Sequence, residues 1–327
     1  MRFLTRRLAF YLITAWAAVT LNFIIPRLMP GNPAEVLVAR FQGRLSPAAL
    51  LSLTALFGLR THASLVTQYL EYWRQLLHGD LGISFSYFPE PVSHVIATSM
   101  PWTAVLIGVS TIVSFVLGTM AGVVIGWRRG SKLDTLLPTL TTFLASVPYF
   151  WLGIITVYIL GSILHWFPTS GGYSLATTPG WDWTFISSAA YHAVLPAVTI
   201  VVSSIAGWLI GMRNMMVTTL SEDYVVMAEA KGLRSRRIMY AYAARNAILP
   251  SLASFAMSLG FVVSGAILTE IVFSYPGIGY VLYLAVSNDD YPLMEGIFLV
   301  ITLAVLIANF FADIAYLVVD PRTREDS

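Results

Sequence analysis

Five histidines, His62, His78, His94, His165 and His192, are the first residues to test for metal or acid–base chemistry. Zinc hydrolases of the H-E-x-x-H type hold two imidazoles one helical turn apart with a glutamate between them. No such run occurs, and the five fall in or beside the segments that separate apolar stretches. Thr169-Ser170-Gly171-Gly172 places a serine next to glycines, and it reads first as a glycine turn rather than a nucleophile. Asp313 lies in an apolar run with no evident acidic partner, so an intramembrane hydrolase would lack its second catalytic group. A phosphate-cradling loop needs a lysine directly after a glycine. Lys132 follows Ser131 and Lys231 follows Ala230, so the chain does not bind ATP in that way. Cysteine is absent, which removes disulfide and thiol chemistry. The expectation is a chain without catalytic residues, metal or bound cofactor.

The elements that would position any of these residues are apolar. Of 327 residues, 57% are hydrophobic and only 11% charged, against about 45–50% and about 25% in soluble domains. A net charge of +2 is too balanced to suggest nucleic acid as a partner. An integral membrane protein follows, all-α, because a chain in hydrocarbon must satisfy its backbone internally and about 20 apolar residues span the core. Six transmembrane helices are predicted, at about 8–29, 102–127, 136–166, 193–212, 247–270 and 293–318, in a single transmembrane domain covering 1–327. The first is too long for a signal core and reads as an uncleaved span. Pro101 is placed to open the second span, and Pro138 and Pro148 to kink the third.

An even number of spans puts both termini on one side. Arg2, Arg6, Arg7, Arg128, Arg129, Lys132, Arg213, Lys231, Arg234, Arg236, Arg237, Arg245, Arg322 and Arg324 all fall on that side, which by the positive-inside rule is the cytoplasm. The other basic residues, Arg27, Arg40, Arg44, Arg60 and Arg74, fall in the long first outer loop, about 30–100. Within it, Ser46-Pro47 and Ser64 are helix starts and Gly79 is a stop, giving a small amphipathic cap or an outer docking element. The cytoplasmic segment 213–246 is built differently. Ser221, Glu222 and Asp223 suit a helix start, Tyr224 to Lys231 a short helix, and Gly232 its left-handed end. Ser235 is placed to cap a second helix running through Arg245 into the next span.

Ala228-Glu229-Ala230-Lys231-Gly232-Leu233, followed by Arg245-Asn246-Ala247-Ile248-Leu249-Pro250, resembles the cytoplasmic loop motif of binding-protein-dependent ABC importer permeases. The interval from Gly232 to Pro250 is similar to that of the peptide/nickel class and longer than in the sugar class. Pro30-Gly31-Asn32-Pro33-Ala34, Gly79-Asp80-Leu81-Gly82-Ile83-Ser84-Phe85, Phe273-Ser274-Tyr275-Pro276-Gly277-Ile278-Gly279, Asp290-Tyr291-Pro292 and Asp320-Pro321-Arg322 extend the resemblance along the chain. The large first outer loop is similar to that of the B-type subunit of dipeptide and oligopeptide permeases. Two positions depart from the common pattern: Val226 stands where the family motif opens on glutamate, and Asn32 where aspartate is common.

The resemblance implies a transport subunit of the prokaryotic inner membrane that imports peptides or a related small solute. ATP and Mg would be bound by two cytoplasmic ATPase subunits. A homologous second permease would complete the path, an extracytoplasmic binding protein would deliver the cargo, and membrane lipid would surround the spans. Glu222, Asp223, Tyr224, Ala228, Glu229, Ala230, Lys231, Gly232, Leu233 and Arg234 would form the coupling element that docks on an ATPase. Ser203, Ser204, Ser254, Ser258, Ser264 and Asn309 are candidates for the path, although hydroxyls also serve helix packing, and Glu270 for an outer gate. Asp182, Asp289, Asp290 and Glu295 read as a solvated acidic face near the outer loops. The rival reading is an ion-coupled secondary transporter, which would need mid-membrane charges and a paired repeat; neither is seen.

Overall fold

A computed structural model of the chain describes residues 2–28, 64–260, 262 and 267–319. They form two compact units, one from residues 1–102 with 277–327 and one from residues 103–276. The predicted helix after Ser46-Pro47, the Pro30–Ala34 and Asp320–Arg322 motifs, Ser264 and the side chain of Asp313 lie outside the described residues. Among the described residues four helices are long and apolar enough to cross a membrane, or five if a bent pair counts as one span.

The first unit holds α1 (Arg2–Leu28), α10 (Ile278–Ser287) and α11 (Tyr291–Val319), and α1 packs along α11. Their contact includes an edge-on pair of rings, Tyr11 and Phe310, 5.9 Å apart. The helix predicted after Ser64 is α2 (Leu65–Leu77), with the Ser64 hydroxyl accepting the Thr67 N–H at 3.2 Å. Gly79 ends it with φ +74°: its N–H reaches Leu76 O and that of Asp80 reaches Gln75 O, each at 3.0 Å. This paired closure, the Schellman motif, needs a left-handed residue, which glycine supplies without a Cβ penalty. Tyr69 ties α2 to α1 through a 2.7 Å hydroxyl contact with Thr20 and a ring contact with Phe23. Leu65, Val66, Leu70 and Leu77 stay exposed on α2.

The acidic residues near the outer loops do not form the solvated face expected of them. Asp290 is fully buried. Its carboxylate accepts the Ser84 hydroxyl at 2.6 Å, the Ser86 N–H at 2.8 Å and the Leu293 N–H at 3.2 Å. It therefore caps α11 while stapling the 79–85 segment to that helix. Glu295 is also buried and is ion-paired to Arg27, whose guanidinium lies 3.6 Å over the Phe23 ring. A charge this close to hydrocarbon survives only when paired in this way. Asp182 remains at the surface and caps the helix that follows it, where the Phe185 N–H holds its carboxyl below the usual range.

The second unit holds most of α3 (Val92–Trp127), which begins in the first. It continues with α4 (Lys132–Ser146), α5 (Tyr149–Thr156), which runs on as a π-helix through Val157–Ile163, and α6 (Trp183–Thr219). Three expectations are corrected here. Pro101 lies inside α3, which starts nine residues earlier at Val92. The helix covering 193–212 runs from Trp183 to Thr219. Pro138 is absorbed within α4, whereas the kink expected at Pro148 is present as an 89° bend before α5. The bend falls at Val147, whose extended ψ of 127° is what the following Pro148 imposes on its neighbour. The fifth predicted span falls on α8 (Leu249–Gly260) and α9 (Ile267–Val272).

α3 and α6 approach through a glycine row, Gly118, Gly122 and Gly126, one turn apart. A Cβ at Gly118 would lie 2.7 Å from Trp208 Cβ, one at Gly122 2.6 Å from Leu209 O, and one at Gly126 2.6 Å from Met216 Cβ. No side chain fits there, so backbone contact replaces side-chain interdigitation, as small residues allow between helices in lipid. Phe115 extends the seam by stacking on Phe255 at 4.3 Å and meeting Trp208 edge-on at 5.2 Å.

Candidate functional site: the 213–246 loop and its footing

The 213–246 segment begins inside α6, whose last turns run on to Thr219. Arg213 donates two hydrogen bonds to Asp134, at 2.8 and 2.9 Å, and Asp134 also accepts the Gly130 N–H at 2.8 Å. This bidentate pair clamps the start of α4 to α6 just before the chain leaves the bundle. Bidentate arginine–carboxylate pairing fixes orientation as well as adding energy.

α7 (Asp223–Ala230) is the short helix expected from Tyr224 to Lys231. Its start differs from expectation. Ser221 donates back to Thr218 O at 2.7 Å, and Glu222 occupies the cap position without a side-chain bond. Asp223 stands in the first turn, where the helix dipole favours an acid. The end is as expected: Gly232 has φ +69° and donates to Glu229 O at 2.8 Å, and Leu233 donates to Ala228 O at 3.3 Å. This is again the Schellman closure, and half-buried Leu233 packs its side chain onto the core below.

That core explains how an eight-residue helix holds together outside the bundle. Isolated helices this short are unstable in water. Val225 and Ala228, one turn apart, are buried against Met212 and Met216 of α6, Val123 of α3, and Ile238, Met239, Ala243 and Ala247 of the segment after Gly232. That segment starts at Ser235, with Arg234 and not Ser235 in the cap position. It widens into a π-helix over Ile238–Ala244 before Arg245–Ala247. π-turns are rare and occur often at functional sites.

The outward side of α7 is exposed. Tyr224 is 39%, Val226 52% and Met227 57% accessible, with Glu222, Asp223, Glu229, Ala230 and Lys231 around them. The expected coupling residues therefore divide. Ala228 and Leu233 face the footing, Gly232 and Arg234 shape the backbone, and the others are presented to solvent. Val226 and Met227 were missed as surface residues. Their signal was present, since neither shares the Val225–Ala228 face and both are apolar in a polar connection.

The residues expected along a path are less distinctive. Ser203 donates to Thr199 O and Ile200 O, Ser204 to Ile200 O, Ser254 to Pro250 O and Ser258 to Phe255 O. Each hydroxyl thus bonds its own helix. Asn309 is half-buried. Glu270 is fully buried and accepts the Thr103 hydroxyl at 2.7 Å. The described histidines form no group of metal ligands with other side chains, and no such group occurs among the described residues.

Comparison with known proteins places this geometry. Residues 114–325 match the family model of the binding-protein-dependent transport system inner membrane component. The chain is 36% identical to the di/tripeptide transport system permease protein DppB of Pseudomonas aeruginosa, with 98% of each chain covered. It is 32% identical to the dipeptide transport system permease protein DppB of Escherichia coli over 99% of each. With the oligopeptide transport system permease protein AppB of Bacillus subtilis it shares 31% over 92% of each. The match spans α6, α7 and the clamp between Asp134 and Arg213, and the chain belongs to the family of inner membrane components of binding-protein-dependent transport systems.

Proposed function

We propose that this chain is one of two membrane subunits of an ATP-driven importer of peptides, and that α7 is the element through which ATP hydrolysis moves the spans. The family and the peptide permeases to which the chain is similar support the first part. The second rests on one observation: α7 shows an apolar outer side, Tyr224, Val226 and Met227, while its inner side is fused to α3 and α6 through Val225 and Ala228. A force on that outer side reaches two spans through packed side chains, with no flexible tether between.

The complex would contain a homologous second permease, two cytoplasmic ATPase subunits holding ATP and Mg, and an extracytoplasmic binding protein that delivers the peptide. This chain would hydrolyse nothing. Both termini and α7 would face the cytoplasm, as the basic residues require.

The test is reconstitution of the assembled transporter with Gly232→Pro. Proline fixes φ near −65° and lacks the N–H that reaches Glu229 O. Assembly with the second permease should persist, while ATP-driven peptide uptake should fall to the level of a transporter without ATP. Normal uptake by this variant would remove α7 from the coupling role.

A further inference from the structure

A groove of about 520 Å³ opens in the second unit beside this loop. Its walls come from the last turns of α3, including Met120 and Val124, from Leu133 and Leu137 of α4, and from Ala244 and Ile248 after the π-helix. They are almost wholly apolar. The polar wall residues are three: Thr119, which is buried, and Arg245 and Tyr240, both exposed. Among the described residues no carboxylate lies within ion-pair distance of Arg245. The wall residue Leu133 directly follows Lys132, and the turn before it carries Arg128 and Arg129, all three exposed. The acid in the first turn of α4, Asp134, is already committed to Arg213.

We propose that this groove holds one acyl chain of an anionic phospholipid of the inner leaflet, with its phosphate on Arg245. The proposal rests on the cytoplasmic placement of the 213–246 loop given above. An apolar slot between helices suits a hydrocarbon chain. A cationic rim whose nearby acid, Asp134, is already paired suits a negative headgroup, and Tyr240 provides the aromatic level at which headgroups sit. Charge complementarity selects phosphatidylglycerol or cardiolipin over a zwitterionic lipid. A helix of another protein would have to bring an acid of its own to offset the arginine.

The lipid would also sit against Tyr240 and Ala244, within or at the end of the π-helix that links α7 to the membrane. Occupancy would brace that segment from the lipid side while Met239 and Ala243 brace it from the core.

Native mass spectrometry of the detergent-purified transporter, titrated with phosphatidylglycerol or phosphatidylcholine, tests the assignment. The wild type should bind phosphatidylglycerol about fivefold more tightly, the contribution of one basic side chain at an anionic surface. Arg245→Gln should abolish the preference, and Ala244→Trp should displace both lipids by filling the slot. Copurification of the ATPases, recorded in the same spectra, reports separately on the transporter reading. Equal binding of the two lipids, or unchanged binding by Ala244→Trp, overturns the lipid site. So does a cross-link from Leu137→Cys to the second permease, which would make the groove a subunit contact.

Discussion

Gly232 is the residue on which the loop's geometry turns. With φ at +69° and open space where a Cβ would go, its requirement is conformational and not steric. Gly232→Ala should cost about 1–2 kcal/mol locally and loosen the turn without ejecting a neighbour. The expected result is a partial loss of coupling: ATP turnover retained, peptide uptake per ATP reduced severalfold, as measured in proteoliposomes. Asp134 belongs to the same scale. Asp134→Asn leaves Arg213 with a weaker acceptor, and a loss of about 1.5–3 kcal/mol is expected, typical of hydrogen bonds to charged groups. It should appear as a lowered melting temperature of the purified complex. Gly232 was legible in the sequence because a glycine directly after a short helical run has a mechanical reason to be there. The pairing of Asp134 with Arg213 was not, because the partners lie far apart in the chain. The inward turn of Asp290 and Glu295 was hidden for the same reason: their partners, Ser84 and Arg27, belong to a distant stretch of sequence.

At the scale of elements, the α3–α6 seam determines how motion of α7 would enter the membrane. Gly122→Val would place branched carbons where even a Cβ meets Leu209 O at 2.6 Å. The helices must then part, and overpacking of this kind costs about 1–3 kcal/mol. Because Val123 and Met212 of the parted helices also hold Val225 and Ala228, the predicted phenotype is double. The folded yield falls, and α7 becomes more accessible to protease, both readable on purified protein. The spacing of Gly118, Gly122 and Gly126 is visible in the sequence, but which helix fills the groove is not. Apolar runs show that helices exist, and the long-range contacts alone show how they pair. Helix limits failed for a related reason. α3 and α6 continue beyond the hydrocarbon length, at Val92 and Thr219, because polar residues extend a helix as readily as apolar ones. At the Val147–Pro148 bend the sequence offered two prolines and only tertiary packing distinguishes them.

For the whole molecule, the proposed function gives the chain a path and a lever and assigns the energy to partner subunits. Composition and charge placed it in a membrane, and the ordered motifs carried its family without any contact information. The residues that would touch the cargo remained unreadable, since the described serines offered for that role, Ser203, Ser204, Ser254 and Ser258, bond their own helices. The absence of cysteine makes the central claim directly testable, because any introduced thiol is unique in this chain. Met227→Cys is the variant of choice: it is exposed, apolar and on the outer side of α7, whereas Val225, two residues earlier, is fully buried. The measurement is thiol cross-linking in the assembled transporter, with each variant treated in inner-membrane vesicles and the adducts identified by mass. The account predicts an adduct between Met227→Cys and an ATPase subunit, none from Val225→Cys, and loss of ATP-driven uptake once the adduct forms. An adduct of Met227→Cys with the extracytoplasmic binding protein, or full uptake with Met227→Cys cross-linked, would contradict it.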